Sequence, residues 1–369
     1  MNYCALIARS KPNFGKLILT KSVCFILDHL GVGGVQEFIL NYCKFVRAGR
    51  HVTVVSLFAN DIYSERLRAA GAEVIVLTDR AYGYAAVLDP RSFRAFSTFY
   101  RKNASRFDEI HLKLFAAFAY ASLMGQWRSP KVSAGLDCNR SQLPFPIQAL
   151  FWIFARRYRR FYLSKLLWSD YSAFGLRRDR LRDQQYPVTR RSSETPRIYP
   201  KPFVFLSVGR GIPQKGHAEA VALFIELQRC LTGDACLVIL GEGPAIDALK
   251  VTHSPEGDNA VSFPGSVDNY DDWLVGATGI IRMAVGEDTN SVIREGILAG
   301  KIVATTLEGP GCHELAKRGL VVAIDRKDLP SSAVRLAEAV TAMTPEKREQ
   351  LKLAAHMLWP EEQAFAMYE

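Results

Sequence analysis

The chain contains no C-x-x-C pair, and its seven cysteines are an odd number scattered over 369 residues. This argues against a disulfide framework and a cysteine-built zinc site, and it suits a reducing cytoplasm. No stretch reaches the roughly 18 uncharged apolar residues of a spanning helix. The longest candidates are 114–127 and 141–155, and the second carries Pro144 and Pro146. Lys16, Lys21 and Asp28 interrupt the first apolar stretch, so no signal peptide is expected. No internal repeat is visible. A nicotinamide-type G-x-G-x-x-G also fails, because Gln36 stands where the third glycine belongs.

What is present fits a soluble globular protein: 49% apolar and 23% charged residues. The length favours two domains over one core. Charge divides sharply between the halves. Residues 1–200 hold 31 Lys and Arg against 14 Asp and Glu, a net +17, and residues 201–369 hold 16 against 23, a net −7. The two halves therefore face different partners, and the basic one suits nucleic acid, an anionic membrane or a phosphate-bearing substrate. No nucleic-acid-binding module is recognisable, so nucleic acid is not expected as a partner.

Residues 1–20 read as an extension or edge piece. From Ser22 to Leu27 the run is continuously apolar, as in a buried parallel strand, and a glycine loop 31–34 and a helix 35–46 follow. Strands at 51–58, 73–77, 109–112 and 131–134 alternate with helices at 63–70, 90–105 and 114–126. This alternation predicts a doubly wound parallel sheet, with its ligand at the strands' carboxyl ends. Residues 148–182 read as long, helical and basic, with Arg156, Arg157, Arg159 and Arg160 beside Phe151, Trp152, Phe154, Tyr158 and Phe161. Such a helix suits an anionic bilayer surface, or simply presents arginines to solvent. The expected organisation is a basic first domain over 1–182, a polar linker over 183–200, a second domain over 201–345 and a C-terminal helix over 346–369.

The second half repeats the alternation. Strands are expected at 203–208, 235–240, 261–263, 279–283, 302–305 and 320–324, with helices at 217–230, 245–251, 270–275, 291–299 and 331–342. Two such sheets facing each other make a cleft, the default ligand site.

Candidate site residues cluster in the loops. Gly33 and Gly34 let backbone approach a phosphate. Arg210 and Lys215, in SVGRGIPQKG, are two cations close to a helix start and can neutralise a diphosphate. The stretch RMAVGEDTNSVIREGILAGK places Glu287 on a loop, Thr289, Asn290 and Ser291 at a helix start, and Glu295 inside the helix. No Glu or Gln sits three residues past the cap, so that helix start is open to an anion. Glu287 and Glu295 can accept from sugar hydroxyls or serve as an acid–base pair. His111 and Asp137, each read at a strand end, are further catalytic candidates.

Taken in order, GVGG, SVGRGIPQKG, LVILGEGP, VSFPGSVDN, GEDTNSVIREGILAGKIVAT and EGPGCHEL resemble glycosyltransferase family 4, the retaining GT-B transferases of the group 1 type. The likeness is strong over 203–342, fair over 22–71 and weak over 143–200. It implies an α/β GT-B fold of two Rossmann-like doubly wound domains, with a nucleotide-sugar donor held mainly by the second. Arg210 and Lys215 match the diphosphate-binding pair. Glu287 and Glu295 match the E-x(7)-E pair, the first toward the donor sugar and the second toward the ribose. Gly265 to Val267 match the segment beside the base, and Gly33 and Gly34 the glycine loop that meets the phosphates.

The acceptor, a glycan or a lipid-diphosphate-linked one, would bind the first domain. No metal or other cofactor is implied. The implied setting is bacterial cell-surface polysaccharide synthesis in the cytoplasm, peripheral on the inner face of the membrane. Three departures stand out. Asp288-Thr289-Asn290 replaces the usual residues after the first glutamate, Asp137 stands near where many members carry a histidine, and the N-G-hydrophobic-D turn between domains is missing. The first two leave open a catalytically impaired nucleotide-sugar-binding partner subunit, and an NDP-sugar epimerase on the same fold is a further alternative.

Overall fold

The computed structural model describes residues 21–31, 33–45, 50–59, 62–135, 145–163, 175–183, 196–199, 201–253, 260–267, 269–286 and 290–359. The first 20 residues, expected as an edge piece, lie outside the described residues.

Two parallel sheets form in succession. In the first, β1 (Lys21–Leu27), β2 (Arg50–Ser56), β3 (Glu73–Val76), β4 (Glu109–Lys113), β5 (Val132–Gly135), β6 (Phe161–Leu163) and β7 (Leu181–Asp183) lie in the order 3-2-1-4-5-6-7. Helices α1 (Gly34–Phe45), α2 (Ser64–Ala69), α3 (Tyr84–Leu88), α4 (Pro90–Asn103), α5 (Phe115–Leu123) and α6 (Phe145–Phe154) accompany it. The second sheet holds β8 (Phe203–Val208), β9 (Ala235–Leu240), β10 (Val261–Gly265), β11 (Gly279–Arg282), β12 (Ile302–Thr306) and β13 (Val322–Ile324), in the order 10-9-8-11-12-13. Its helices are α7 (His217–Cys230), α8 (Pro244–His253), α9 (Tyr270–Gly276), α10 (Ser291–Leu298), α11 (Pro310–Lys317), α12 (Leu329–Thr341) and α13 (Pro345–Leu358).

The continuous apolar strands have a simple cause. Side chains alternate across a strand, and both faces of each sheet are covered. Along β1, Val23, Phe25 and Leu27 enter one core while Cys24 and Ile26 enter the other. Along β8, Val204 and Leu206 face one side and Phe205 the opposite. Burying each such side chain contributes about 1.5–3 kcal/mol.

Two expectations change. The basic stretch 148–182 is not one long helix: α6 ends at Phe154, and the chain then enters β6, with β7 pairing to it in parallel. Tyr158 and Phe161 are fully buried core residues, so only part of the aromatic–arginine pattern reaches the surface. The stretch EGPGCHE, outside every helix expected from the sequence, opens a helix, with Pro310 at its first position. Proline is tolerated there because its missing N–H would have no helical partner. The C-terminal helix packs over its described length on α10, with Ala355 and Trp359 in the core beside Ile293 and Ile297. Residues beyond Trp359 lie outside the described residues.

Because every strand pair in each sheet is parallel, the carboxyl ends of its strands share one edge. The strand order reverses at β1/β4 in the first sheet and at β8/β11 in the second. Such reversals open a crevice, because the two flanking connections leave in opposite directions.

Candidate functional site

The second crevice is built from backbone packed on backbone. After β8, the N–H of Gly209 donates to Leu240 O at 3.0 Å, and that of Gly211 donates to Glu242 O at 2.6 Å. The loop after β9 answers in turn: the Gly241 N–H donates to Gly265 O at 2.9 Å, at the last residue of β10. A Cβ on Gly211 would lie 2.6 Å from Gly243 O, so this approach excludes any larger residue. Glu242 closes the third loop, its Oε1 accepting the Ser266 N–H at 3.3 Å. Gly265, with φ 87°, thus stands on this edge, and Val267 beyond it packs on the core.

Arg210 and Lys215 rise from this floor. Arg210 is exposed, and the stem of Lys215 crosses Gly209 with its methylenes 3.3–3.6 Å from where a Cβ would be. Gly216, with φ 68°, caps α7 and rests on Met283 just past β11. The Val285 N–H donates to Gln214 O at 2.8 Å, which ties the two switch-point loops together. The cations and the loop after β11 are therefore brought to one place.

At that start, Asn290 is the N-cap, and its Oδ1 accepts the Ile293 N–H at 3.1 Å. The helix start read as open thus has one N–H taken by its own cap. Ser291 is the first helical residue, and Glu295, one turn on, is buried, as are Arg282 and Arg294. Arg294 Nε donates to the Asn290 carbonyl at 3.5 Å, placing a buried cation beneath the helix start. Glu287, Asp288 and Thr289 lie outside the described residues, as does Asp137.

In the first sheet, Gly33 and Gly34 open α1, and the Gly33 carbonyl accepts from the Glu37 N–H at 3.2 Å. Gln36, the residue that spoils the dinucleotide motif, is buried and donates to His29 O at 2.8 Å. His111 does not join the site. Its strand runs on to Lys113, and its ring lies buried beside Phe25 and Tyr162, with Nδ1 2.6 Å from Ser133 Oγ and Nε2 3.3 Å from Glu109. Burial lowers its pKa, which the Glu109 carboxylate only partly offsets. A sealed mid-strand ring cannot reach a substrate, so the catalytic role expected of His111 is corrected to a packing one.

Four residues with no distinctive sequence pattern shape the site. His217, the first residue of α7, is buried between Ser207 Oγ (2.9 Å from Nδ1) and the Arg210 carbonyl (3.2 Å from Nε2). Burial lowers its pKa. It holds the Arg210 backbone turned inward. Arg326 donates to Met283 O and pairs with Glu308 at 3.3 Å and Glu219 at 3.4 Å, while Glu308 accepts from the Gly286 N–H at 3.3 Å.

Asp28, fully buried past β1, accepts the N–H groups of Phe115, Ala116 and Ala117, each at 3.0 Å, and so caps α5. Burial raises its carboxyl to about 6 against the pull of those three bonds. His29 follows. Its Nδ1 accepts the Gly31 N–H at 3.1 Å, and its ring lies 4.7 Å from that of Tyr82. Burial lowers the His29 pKa, and the Arg210 charge lowers it further. A "KGH" or "LDH" triplet was the sole sequence signal for the two histidines.

Among the described residues no group of three His, Cys, Asp or Glu is placed to hold a metal ion, and no helix is long and apolar enough to cross a membrane.

Two facing Rossmann-like parallel sheets make this the GT-B fold, and comparison with solved structures agrees. The chain is similar to HepE from Anabaena, solved with UDP, at a TM-score of 0.73 and 16% identity over 94% of this chain and 98% of that one. It is similar to sucrose-phosphate synthase from Thermosynechococcus elongatus at 0.69 and 14%, over 94% and 97%. WaaG, a glycosyltransferase involved in lipopolysaccharide biosynthesis, aligns at 0.63 and 16%, over 93% and 95%. At these identities the likeness establishes the fold. No protein-family model matches the chain, and no curated protein matches it in sequence.

Proposed function

We propose that the chain is a retaining glycosyltransferase that moves a sugar from a nucleotide-sugar donor to a glycan or lipid-linked acceptor. The observation that carries this reading is Lys215 laid across Gly209 beside Arg210, with the loop that leads from β11 toward α10 tied to the same floor. Two fixed cations and a helix N-terminus are worth most where charge grows, on the departing diphosphate. In the transfer, the bond between the anomeric carbon and the phosphate oxygen breaks with its electron pair going to the diphosphate. The acceptor oxygen bonds to the anomeric carbon on the same face, and its proton passes to a phosphate oxygen. No metal enters this scheme. Glu287 contacts the donor sugar, Asp288 and Thr289 border it, and Glu295 approaches the ribose.

The HepE structures in complex with UDP, with UDP and glucose, and with UDP-glucose support a nucleotide-sugar donor by analogy of fold. Residues 1–182 would hold the acceptor and 201–345 the donor. The +17 balance of the first 200 residues suits an acceptor with phosphate, in bacterial surface-polysaccharide synthesis at the cytoplasmic face of a membrane. Exposed Phe145 and Trp152, with Arg156 stacked 5.2 Å over Trp152, are the surface left for an anionic bilayer. Flotation with anionic liposomes at low salt tests that contact.

Mass analysis of products from UDP-, GDP- and ADP-sugars, with and without a lipid-diphosphate acceptor, tests the activity. A transferred sugar of retained configuration supports it. Nucleotide affinity with no turnover would identify a binding subunit, and an isomerised sugar without acceptor an epimerase.

A further inference from the structure

Both chain neighbours of Lys215 lean on one short segment, Met283 to Gly286, which follows β11. Gln214 O accepts the Val285 N–H at 2.8 Å, and Gly216 lies so close to the Met283 carbonyl that a Cβ there would overlap its oxygen. The side chain that holds this segment is Arg326, two residues past β13. β13 lies two strands from β11, about 10 Å, and the arginine spans that gap. Its Nη2 donates to the Met283 carbonyl, the one pressed on Gly216. Its Nη1 stands 3.4 Å from Oε1 of Glu219, in the first turn of α7. Its Nε stands 3.3 Å from Glu308 Oε1, and Glu308 Oε2 accepts the Gly286 N–H at 3.3 Å. One guanidinium therefore grips the near end of the segment, the helix that follows Lys215 and, through Glu308, the far end of the segment. Two carboxylates offset its single charge, so it has little attraction left for an anion.

We infer that Arg326 is a positioning residue for the transfer: its fork locks the loop after β11 against the start of α7, and so registers the Lys215 ammonium on the departing diphosphate without touching it. This rests on the transferase reading and deepens it. A lysine on its long stem can still reach a bound diphosphate from a shifted loop, so ground-state binding tolerates a small displacement. The transition state does not. It gains only from a cation already in place when charge grows on the leaving oxygen, and a misplacement of about 1 Å costs on the order of 100-fold.

Two substitutions disturb the fork with different effects on charge. Arg326→Lys keeps the charge but replaces the planar fork with a point donor that cannot meet Met283, Glu219 and Glu308 together. Glu308→Gln removes a negative charge and leaves Gly286 and Arg326 to compete for one amide oxygen. Acceptor-free hydrolysis of UDP-, GDP- and ADP-glucose gives kcat, calorimetric titration with the matching nucleoside diphosphate gives Kd, and melting temperatures check folding. In both variants the expected kcat is about 10- to 100-fold lower, with Kd within about threefold of wild type. Wild-type kcat in either folded variant overturns the inference and leaves the transferase reading standing. A Kd that weakens in step with kcat in Arg326→Lys also overturns it, because it makes Arg326 a phosphate ligand. A wild type that binds and hydrolyses none of these donors removes the transferase reading and this inference together.

Discussion

Gly216→Ala tests the geometry on which the site depends. Gly216 has φ 68°, where an alanine costs about 1–2 kcal/mol. Its new Cβ would overlap the Met283 carbonyl oxygen and lie 2.5 Å from the carbonyl carbon and 2.9 Å from the Met283 Cβ. None of these is the yielding end of a flexible side chain. The end of β11 or the loop before α7 has to move by about 1 Å, and a misplacement of that size costs on the order of 100-fold in rate. Stability should fall by at least about 2 kcal/mol, or roughly 4–8 °C in a domain of this size. Thermal unfolding and donor hydrolysis, measured on one preparation, check both effects. A folded Gly216→Ala with wild-type melting and wild-type hydrolysis would refute the claim that the β8 and β11 loops form one rigid floor.

Two further outcomes follow from neighbouring observations. Gly34→Ala meets nothing within 4 Å and no positive φ, so its melting temperature should stay level or rise; if the glycine loop meets phosphate, nucleotide affinity should fall instead, as titration calorimetry would show. Asp28 has its folded pKa raised to about 6 from 3.8, so its stabilising contribution is complete below about pH 4 and is lost as pH rises through about 6. Urea unfolding midpoints between pH 4 and 7 should show that loss in the wild type and not in Asp28→Asn; parallel curves would contradict it.

Much of the fold was legible because buried parallel strands announce themselves as apolar runs: β8, β9 and α7 occupy the ranges read from sequence. The failures have local causes. β6 is three residues long, too short for an apolar run to be told from helix, and the arginines before it mimic a basic amphipathic pattern. Gly309 and Pro310 punctuate a helix start as readily as a loop. His111 misled because strand ends are uncertain by a residue or two, and two residues decided whether its ring reached the crevice or stayed in the sheet.

At the site, Arg210 and Lys215 were legible from their place between strand and helix. His217, Asp28 and His29 were not, since what gives each its role is a partner far away in sequence or a backbone group that no motif encodes. Asp28 meets α5 across 87 to 89 positions of chain. The buried Arg294 beneath the start of α10 was hidden in the same way, as an ordinary charged helix residue.

The central claim is that Lys215, with Arg210, receives the diphosphate of a nucleotide sugar. Thermal-shift titration of the wild type and Lys215→Ala with UDP, GDP, ADP, CMP and NAD tests it most directly. One nucleoside diphosphate should raise the wild-type melting temperature, a stabilisation of about 2.7 kcal/mol at 100 times its Kd. Lys215→Ala, with its own melting temperature close to wild type, should lose most of that shift. A shift with NAD alone, or one with a nucleoside diphosphate that survives undiminished in Lys215→Ala, would contradict the account.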